Sequence, residues 1–292
     1  MVQTRVKKCL VWLSMAGLGV TAAALRAQAQ DSVPTGPAPI LVTVREIPKP
    51  GEEAAHARLE AQYAETLDAG KGSEYYLGMG AITGEPQSIF ISGYSSLEEM
   101  SQVHDYDETT LGEKLGGLDA DHSGTLAGID TAIWRLRPEL SNPDTVNLGK
   151  MRFMELIHIH VKLGRDAEFA EITRRIKESW IKAEPEFHYS IYQQMFGTAK
   201  DESYLVVVAM KSLADMDKHH SKAAEAQRNL SEDVRKHILE VQNADYNSTE
   251  SNLYVFTPSM SRLPNVWTKD DRDFWKPKPV KSAQPNKPAP AK

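Results

Sequence analysis

The stretch Ser88-Ile-Phe-Ile-Ser-Gly-Tyr-Ser-Ser96-Leu97-Glu-Glu-Met100-Ser-Gln-Val-His104 is matched 116 residues on by Tyr204-Leu-Val-Val-Val-Ala-Met-Lys-Ser212-Leu213-Ala-Asp-Met216-Asp-Lys-His-His220. Ser96, Leu97, Met100 and His104 fall on Ser212, Leu213, Met216 and His220. Upstream, Gly51 meets Gly164 at an offset of 113, and Leu59, Tyr63 and Leu67 fall on Ile172, Ile176 and Trp180. Downstream, Pro138-Glu-Leu-Ser141 meets Pro258-Ser-Met-Ser261 at an offset of 120. Offsets that hold within elements and drift between them are what loop insertions leave in a duplicated unit. The chain therefore reads as two repeats, 40–141 and 151–262, joined by a polar linker at 142–150.

Each repeat reads strand, helix, strand, strand, helix, strand. The first strands are Ile40–Glu46 and Phe153–Val161. The first helices carry apolar stripes at Ala55, Leu59, Tyr63 and Leu67, and at Phe169, Ile172, Ile176 and Trp180. Glu74–Met79 and Ser88–Tyr94 form the next two strands, with Phe187–Met195 and Tyr204–Met210 as their counterparts. One long helix then starts at Leu97 and another at Leu213. Ser96 and Ser212 stand at the N-cap, with Glu99 and Asp215 three residues on, a capping-box pattern. Thr131–Arg137 and Asn252–Thr257 close the repeats. This is the split βαβ order of the ferredoxin-like α+β fold.

That order, with a junction of apolar strand, Ser-Leu, acidic residue, Met and His, resembles the dimeric α/β-barrel superfamily. The superfamily includes antibiotic-biosynthesis monooxygenase-like and NIPSNAP-like proteins, and tandem members whose halves pair their sheets. The resemblance implies a pseudo-dimeric α/β barrel with a pocket between the two sheets. It also implies that the helix histidines His104 and His220 can face that pocket or ligate haem. The Asn and Trp that accompany such a histidine in haem-degrading members are not evident here, and a helix-surface position is the alternative. Haem stays open, and no cofactor is required.

The ends carry other information. Arg5, Lys7 and Lys8 precede an apolar stretch from Cys9 to Leu25 that ends in Ala27-Gln28-Ala29. This is the pattern of a secretory signal at 1–29, cleaved after Ala29, so the expectation is an exported protein, periplasmic or secreted, with no stable membrane insertion after cleavage. Residues 30–39 read as a flexible leader. The extension 263–292 becomes Pro- and Lys-rich and disordered from about 276. The single cysteine, Cys9, falls in the signal, which removes disulfides and thiolate chemistry from the rest. Beyond residue 29 the chain has 30 basic against 40 acidic residues. That balance argues against binding to nucleic acid, which depends on neutralising phosphates.

Strand alternation nominates the pocket. Glu155, Ile157, Ile159 and Val161 form the face that should lie under helices, leaving His158 and His160 toward the interior. Arg45 is the counterpart of His158 in the first repeat. A cation from one half and an imidazole from the other suit a small, partly apolar, anionic or enolate-like ligand, with His158 as base and Arg45 as anion holder. A solvent-facing strand end is the alternative. Tyr94 and Trp134 are further candidate wall residues. His158 and His160 could share a metal only with a third ligand, for which His188 is the obvious residue.

Asp119-Ala-Asp121-His-Ser123-Gly-Thr-Leu-Ala-Gly-Ile-Asp130 places oxygens at positions 1, 3, 5 and 12 of a calcium loop with Gly at 6. Position 12 is Asp rather than Glu, and an Asx-rich turn without an ion explains the string equally. Gly78-Met-Gly80-Ala-Ile-Thr-Gly84 is followed by a strand, so it is no dinucleotide fingerprint. Three functions remain: an exported ligand-binding protein, a cofactor-independent monooxygenase or isomerase using the same pocket, and a non-catalytic structural or partner-binding protein. A monomeric pseudo-dimer and a homodimer both fit.

Overall fold

Among the described residues, runs of alternating apolar and polar residues become eight strands that leave no sheet edge unpaired. A computed structural model describes residues 36–142 and 146–276. The signal, nearly all of the leader and the tail beyond Lys276 lie outside the described residues. Repeat 1 supplies β1 (Ile40–Pro48), α1 (Glu53–Ala69), β2 (Leu77–Ala81), β3 (Ser88–Tyr94), α2 (Leu97–Ser123) and β4 (Leu126–Leu136). Repeat 2 supplies β5 (Phe153–Val161), α3 (Asp166–Ala183), β6 (Ser190–Phe196), β7 (Glu202–Met210), α4 (Leu213–Arg228), α5 (Glu232–Asp245) and β8 (Tyr246–Phe256).

The expected single helix after Leu213 is two helices, because Ser231 starts a new one by accepting from the Val234 amide at 3.3 Å. Both serines stand at N-caps as expected, but the reciprocal capping box forms only at Ser212, because Glu99 accepts from the Ser95 amide instead. The Glu99 amide donates to Ser96 Oγ at 3.1 Å, and the Ser212 amide donates to Asp215 Oδ2 at 3.1 Å. Gly51 and Gly164 hold φ of +88° and +79°, so the two repeats make the same left-handed turn before α1 and α3.

The strand order is β1-β3-β2-β8-β5-β7-β6-β4, closed on itself. Within it each repeat keeps the ferredoxin-like order, β4-β1-β3-β2 and β8-β5-β7-β6. Two antiparallel seams join them. Met79 pairs with Phe256 across one, and Leu136 with Tyr192 across the other. Inward side chains from both repeats, including Leu41, Met79, Ile89, Trp134, Leu156, Leu205 and Tyr254, pack as one core. Outward side chains meet the helices: Phe90 packs with Leu67 and Leu111, and Val161 with Phe169.

The buried face of α1 is not the expected apolar stripe. It carries His56, Glu60, Ala64 and Leu67, while Ala55, Leu59 and Tyr63 are only half-buried.

One barrel end is closed by the segment after repeat 2, through α6 (Asn265–Thr268) and α7 (Arg272–Trp275). Trp275 is buried in the barrel core and its indole donates to the Gly149 carbonyl at 2.7 Å. Arg152 pairs with Asp271 and stacks over the Phe274 ring at 3.7 Å. A side chain at Gly149 would collide with the Trp267 carbonyl, its Cβ lying only 1.9 Å away. Among the described residues no helix is long and apolar enough to cross a membrane. Trp275→Ala should remove the plug's main contact and cost about 3–5 kcal/mol, read as a lower urea midpoint with an unchanged slope. An unchanged midpoint would show that the plug is not part of the core.

Candidate functional site

The end of the barrel opposite Trp275 is where polar side chains face inward. β1 runs into it with Leu41, Thr43 and Arg45 on its inner side, and β5 with Leu156, His158 and His160. Trp134 and Tyr254, 2% and 3% exposed, belong to the core beneath this end. The Trp134 indole donates to Thr43 Oγ1 at 2.9 Å. The His158 ring sits 5.6 Å from the Trp134 ring, edge to face, and 6.3 Å from the His160 ring.

Register fixes the charges around these rings. Arg45 stands opposite Asp130 on β4, and His158 opposite Glu250 on β8. Burial lowers the His158 pKa from 6.5 to about 4; His160 and Arg45 add to the lowering, and Glu250 and Asp130 oppose it. His158 is therefore a neutral hydrogen-bonding group at pH 7. A base whose conjugate acid is that strong takes up a proton poorly.

His160 is held differently. Its Nδ1 lies 3.0 Å from Asp201 Oδ1 and 3.0 Å from Ser203 Oγ. Asn247 Nδ2 donates to Asp201 Oδ2 at 3.2 Å. Asp201 fixes the tautomer with the proton on Nδ1 and leaves Nε2 with a lone pair. A serine nucleophile and its orienting carboxylate must use opposite ring nitrogens. Ser203 and Asp201 share one nitrogen, so this trio is no hydrolase triad. Asp201 itself titrates below the usual carboxylate range, because the bonds from His160, Asn247 and Ser203 outweigh its burial.

Other nominated residues lie elsewhere. Tyr94 is on the outer face of β3 and packs with Ile40, Ile133, Met100 and Val103, because strand alternation puts Ile89 and Ile91 inside instead. His104 and His220 sit on α2 and α4, outside the barrel wall, so neither reaches the barrel interior. Next to the exposed His220, His219 is the one that packs, 2.9 Å from Glu184 and 4.3 Å from the Phe187 ring. His188 belongs to the connection entering β6 at the plugged end, so it cannot join His158 and His160 on one metal.

The calcium loop is also corrected. Asp119, Asp121 and Ser123 belong to the last turns of α2, and Asp130 to β4. Helical spacing spreads the first three around the axis instead of turning them inward. Ser123 Oγ donates to the Ala120 carbonyl at 2.8 Å, and Asp130 Oδ1 accepts from Thr198 Oγ1 at 2.9 Å.

One constellation escaped the sequence reading. Glu46, His56, Glu60 and His122 converge, all buried, between β1, α1 and the end of α2. The available signal was the His-x-x-x-Glu spacing at 56 and 60, which puts both side chains on one helix face.

No protein-family model and no curated protein matches the chain. Solved structures do. An anthrone oxidase-like protein aligns with a TM-score of 0.51 at 9% identity, over 75% of this chain and 91% of that one. A candidate monooxygenase from Fusobacterium nucleatum aligns with a TM-score of 0.50 at 14% identity, over 75% and 93%. A chlorite dismutase variant from Candidatus Nitrospira defluvii aligns with a TM-score of 0.44 at 9% identity, over 80% and 95%. At these identities the likeness speaks for the fold alone. The chain has the ferredoxin-like α/β-barrel fold of the first two, with both half-barrels written in one polypeptide.

Proposed function

We propose that the protein is an exported, tandem member of the monooxygenase-like α/β-barrel superfamily that binds a small, partly apolar anion at the open barrel end. The carrying observation is that Arg45 faces inward and is exposed there, beside a neutral His158, and among the described residues forms no ion pair within 4.0 Å. The packed core below limits the ligand to the mouth, where both repeats contribute. Asp130 and Glu250 flank Arg45 and His158, which suits a single carboxylate or enolate and disfavours a polyanion. Export rests on the charge, apolar run and Ala-Gln-Ala pattern of residues 1–29.

A catalytic reading in the same site is favoured by one contact, the Asp201–His160 bond. It prepares Nε2 of His160 to accept a proton, while Arg45 would hold the developing anion. The roles first assigned by sequence thus shift: His160 becomes the proton carrier, and His158 a neutral donor.

Native mass spectrometry of the protein purified from its host tests the binding. A retained small molecule should be lost in Arg45→Met and weakened in His160→Ala; retention unaffected by both would sink the proposal. The same spectrum should show a chain beginning at Gln30. A second expectation follows from His158. Its folded pKa of about 4 lies below the unfolded 6.5, so the unfolded chain takes up the proton first as pH falls. Stability from this group is intact above pH 6.5, declines through the window down to pH 4, and drops by about 3 kcal/mol in all. Urea unfolding at pH 7.5 and 4.5 should therefore show a smaller acid loss in His158→Gln than in the parent. Equal losses would place His158 in water.

A further inference from the structure

We propose that repeat 1 holds one divalent transition-metal ion, zinc by its donor set, ligated by Glu46, His56, Glu60 and His122 on the outer side of the barrel wall. The proposal is independent of the ligand site at the mouth. Arg45 and Glu46 are neighbours on β1, but they point through opposite faces of the sheet.

The four side chains come from three elements. Glu46 projects outward from β1, His56 and Glu60 lie one turn apart on α1, and His122 is in the last turn of α2. One donor atom from each lies within 4.8 Å of every other. His122 Nε2 is 2.7 Å from Glu60 Oε1, 2.8 Å from His56 Nδ1 and 3.4 Å from Glu46 Oε2. Four ligands at zinc bond lengths form a tetrahedron with edges of about 3.3 Å, so these separations bracket the required spacing.

Three polar atoms crowd around one imidazole nitrogen. An imidazole nitrogen offers one in-plane position, either a proton or a lone pair. His122 Nε2 has three polar atoms converging on it. If it donates to Glu60, it cannot also serve His56 and Glu46. A cation at the centre uses all four lone pairs at once. Two carboxylates also balance a divalent charge, which removes the cost of burying either alone. The exposures, 0% for Glu46, 2% for His56, 1% for Glu60 and 7% for His122, leave no face open to solvent. A closed, protein-only shell is that of a structural ion.

The surroundings have the form of an outer shell. His56 Nε2 lies 3.1 Å from Ser88 Oγ, so the ring can donate outward while Nδ1 faces the ion. Thr125 Oγ1 donates to the His122 carbonyl at 2.8 Å, and Lys49 Nζ to the Gly124 carbonyl at 2.7 Å, fixing the backbone around His122.

The second repeat is the internal control. The matched turns at Gly51 and Gly164 set Glu46, His56 and Glu60 against Ile159, Phe169 and Thr173. There Phe169 stacks on Tyr204 at 3.8 Å, and Ile159 packs in the same apolar cluster. The fold is thus satisfied there by two apolar side chains and one threonine. The histidines and glutamates of repeat 1 are an addition that the architecture does not demand.

The test uses the full chain stripped with chelator and titrated with cobalt(II), then zinc. One cobalt per chain should bind with the intense visible bands of a tetrahedral site, and one equivalent of zinc should abolish them and raise the melting temperature. His122→Gln and Glu60→Gln should lose the bands and the stoichiometric zinc, with folding checked by circular dichroism. His160→Ala, at the barrel mouth, should keep both. Absence of stoichiometric uptake by the parent chain, or uptake without tetrahedral bands, overturns the proposal even where a cluster variant fails to fold. Uptake that survives both cluster variants, or that disappears in His160→Ala, overturns it too.

Discussion

Closure of the barrel is the constraint from which the rest follows. A four-stranded ferredoxin-like sheet has two edges, and here those are β2 and β4 in one repeat and β8 and β6 in the other. Each edge presents unpaired amide and carbonyl groups that must find partners. Pairing β2 with β8 and β4 with β6 satisfies all four edges within one chain. It also turns two half-buried sheets into a wall with an inside and an outside. Every strand residue is then assigned to the common core or to the helix layer by parity alone, and a one-residue slip would exchange the two sets.

That parity explains why two chemically different groups of side chains share one strand. At the end of β1, Arg45 is directed into the barrel mouth and Glu46 into the layer under α1 and α2. The two ends of the barrel are likewise unequal. Trp275 and its neighbours occupy one, so the polar inner residues of the other are the accessible part of the interior. His158 lies at the boundary. Its burial against Trp134, with the Arg45 guanidinium nearby, keeps its imidazole neutral.

Much of the architecture was legible because duplication makes a sequence its own comparison. Matching Ser96 with Ser212 and Gly51 with Gly164 fixed where helices begin, and the structure shows a helix starting after each serine and the same left-handed turn in both copies. Strand faces were legible for β5, where Ile157 and Ile159 contrast with His158 and His160. They were not for β3, because Ser92 and Tyr94 face outward while Gly93 faces in, so polarity gave no contrast. The α1 stripe failed for a physical reason. Reading only apolar residues as buried excludes His56 and Glu60, yet a polar cluster that satisfies itself is buried as readily as leucine. The plug was invisible because α6 and α7 are four residues each, too short for periodicity to register.

Divergence between the repeats carries more functional information than either repeat alone. Positions that must close the barrel remain alike in kind, as the shared caps and turns show. Positions where the repeats disagree cannot be fixed by the fold, since one architecture accepts both solutions. Arg45 against His158, Ile47 against His160, and the Glu46, His56 and Glu60 set against Ile159, Phe169 and Thr173 are all disagreements of this kind. They are not scattered over the surface. They collect at the barrel mouth and directly behind it, on the two faces of the same end of β1 and β5. Drift on exposed positions has no reason to gather buried charge against one wall, because each such burial is unfavourable until its partners are present. The clustering therefore sets this end of the barrel apart from the rest of the wall, with the mouth drawing on both repeats and the buried cluster on repeat 1 alone.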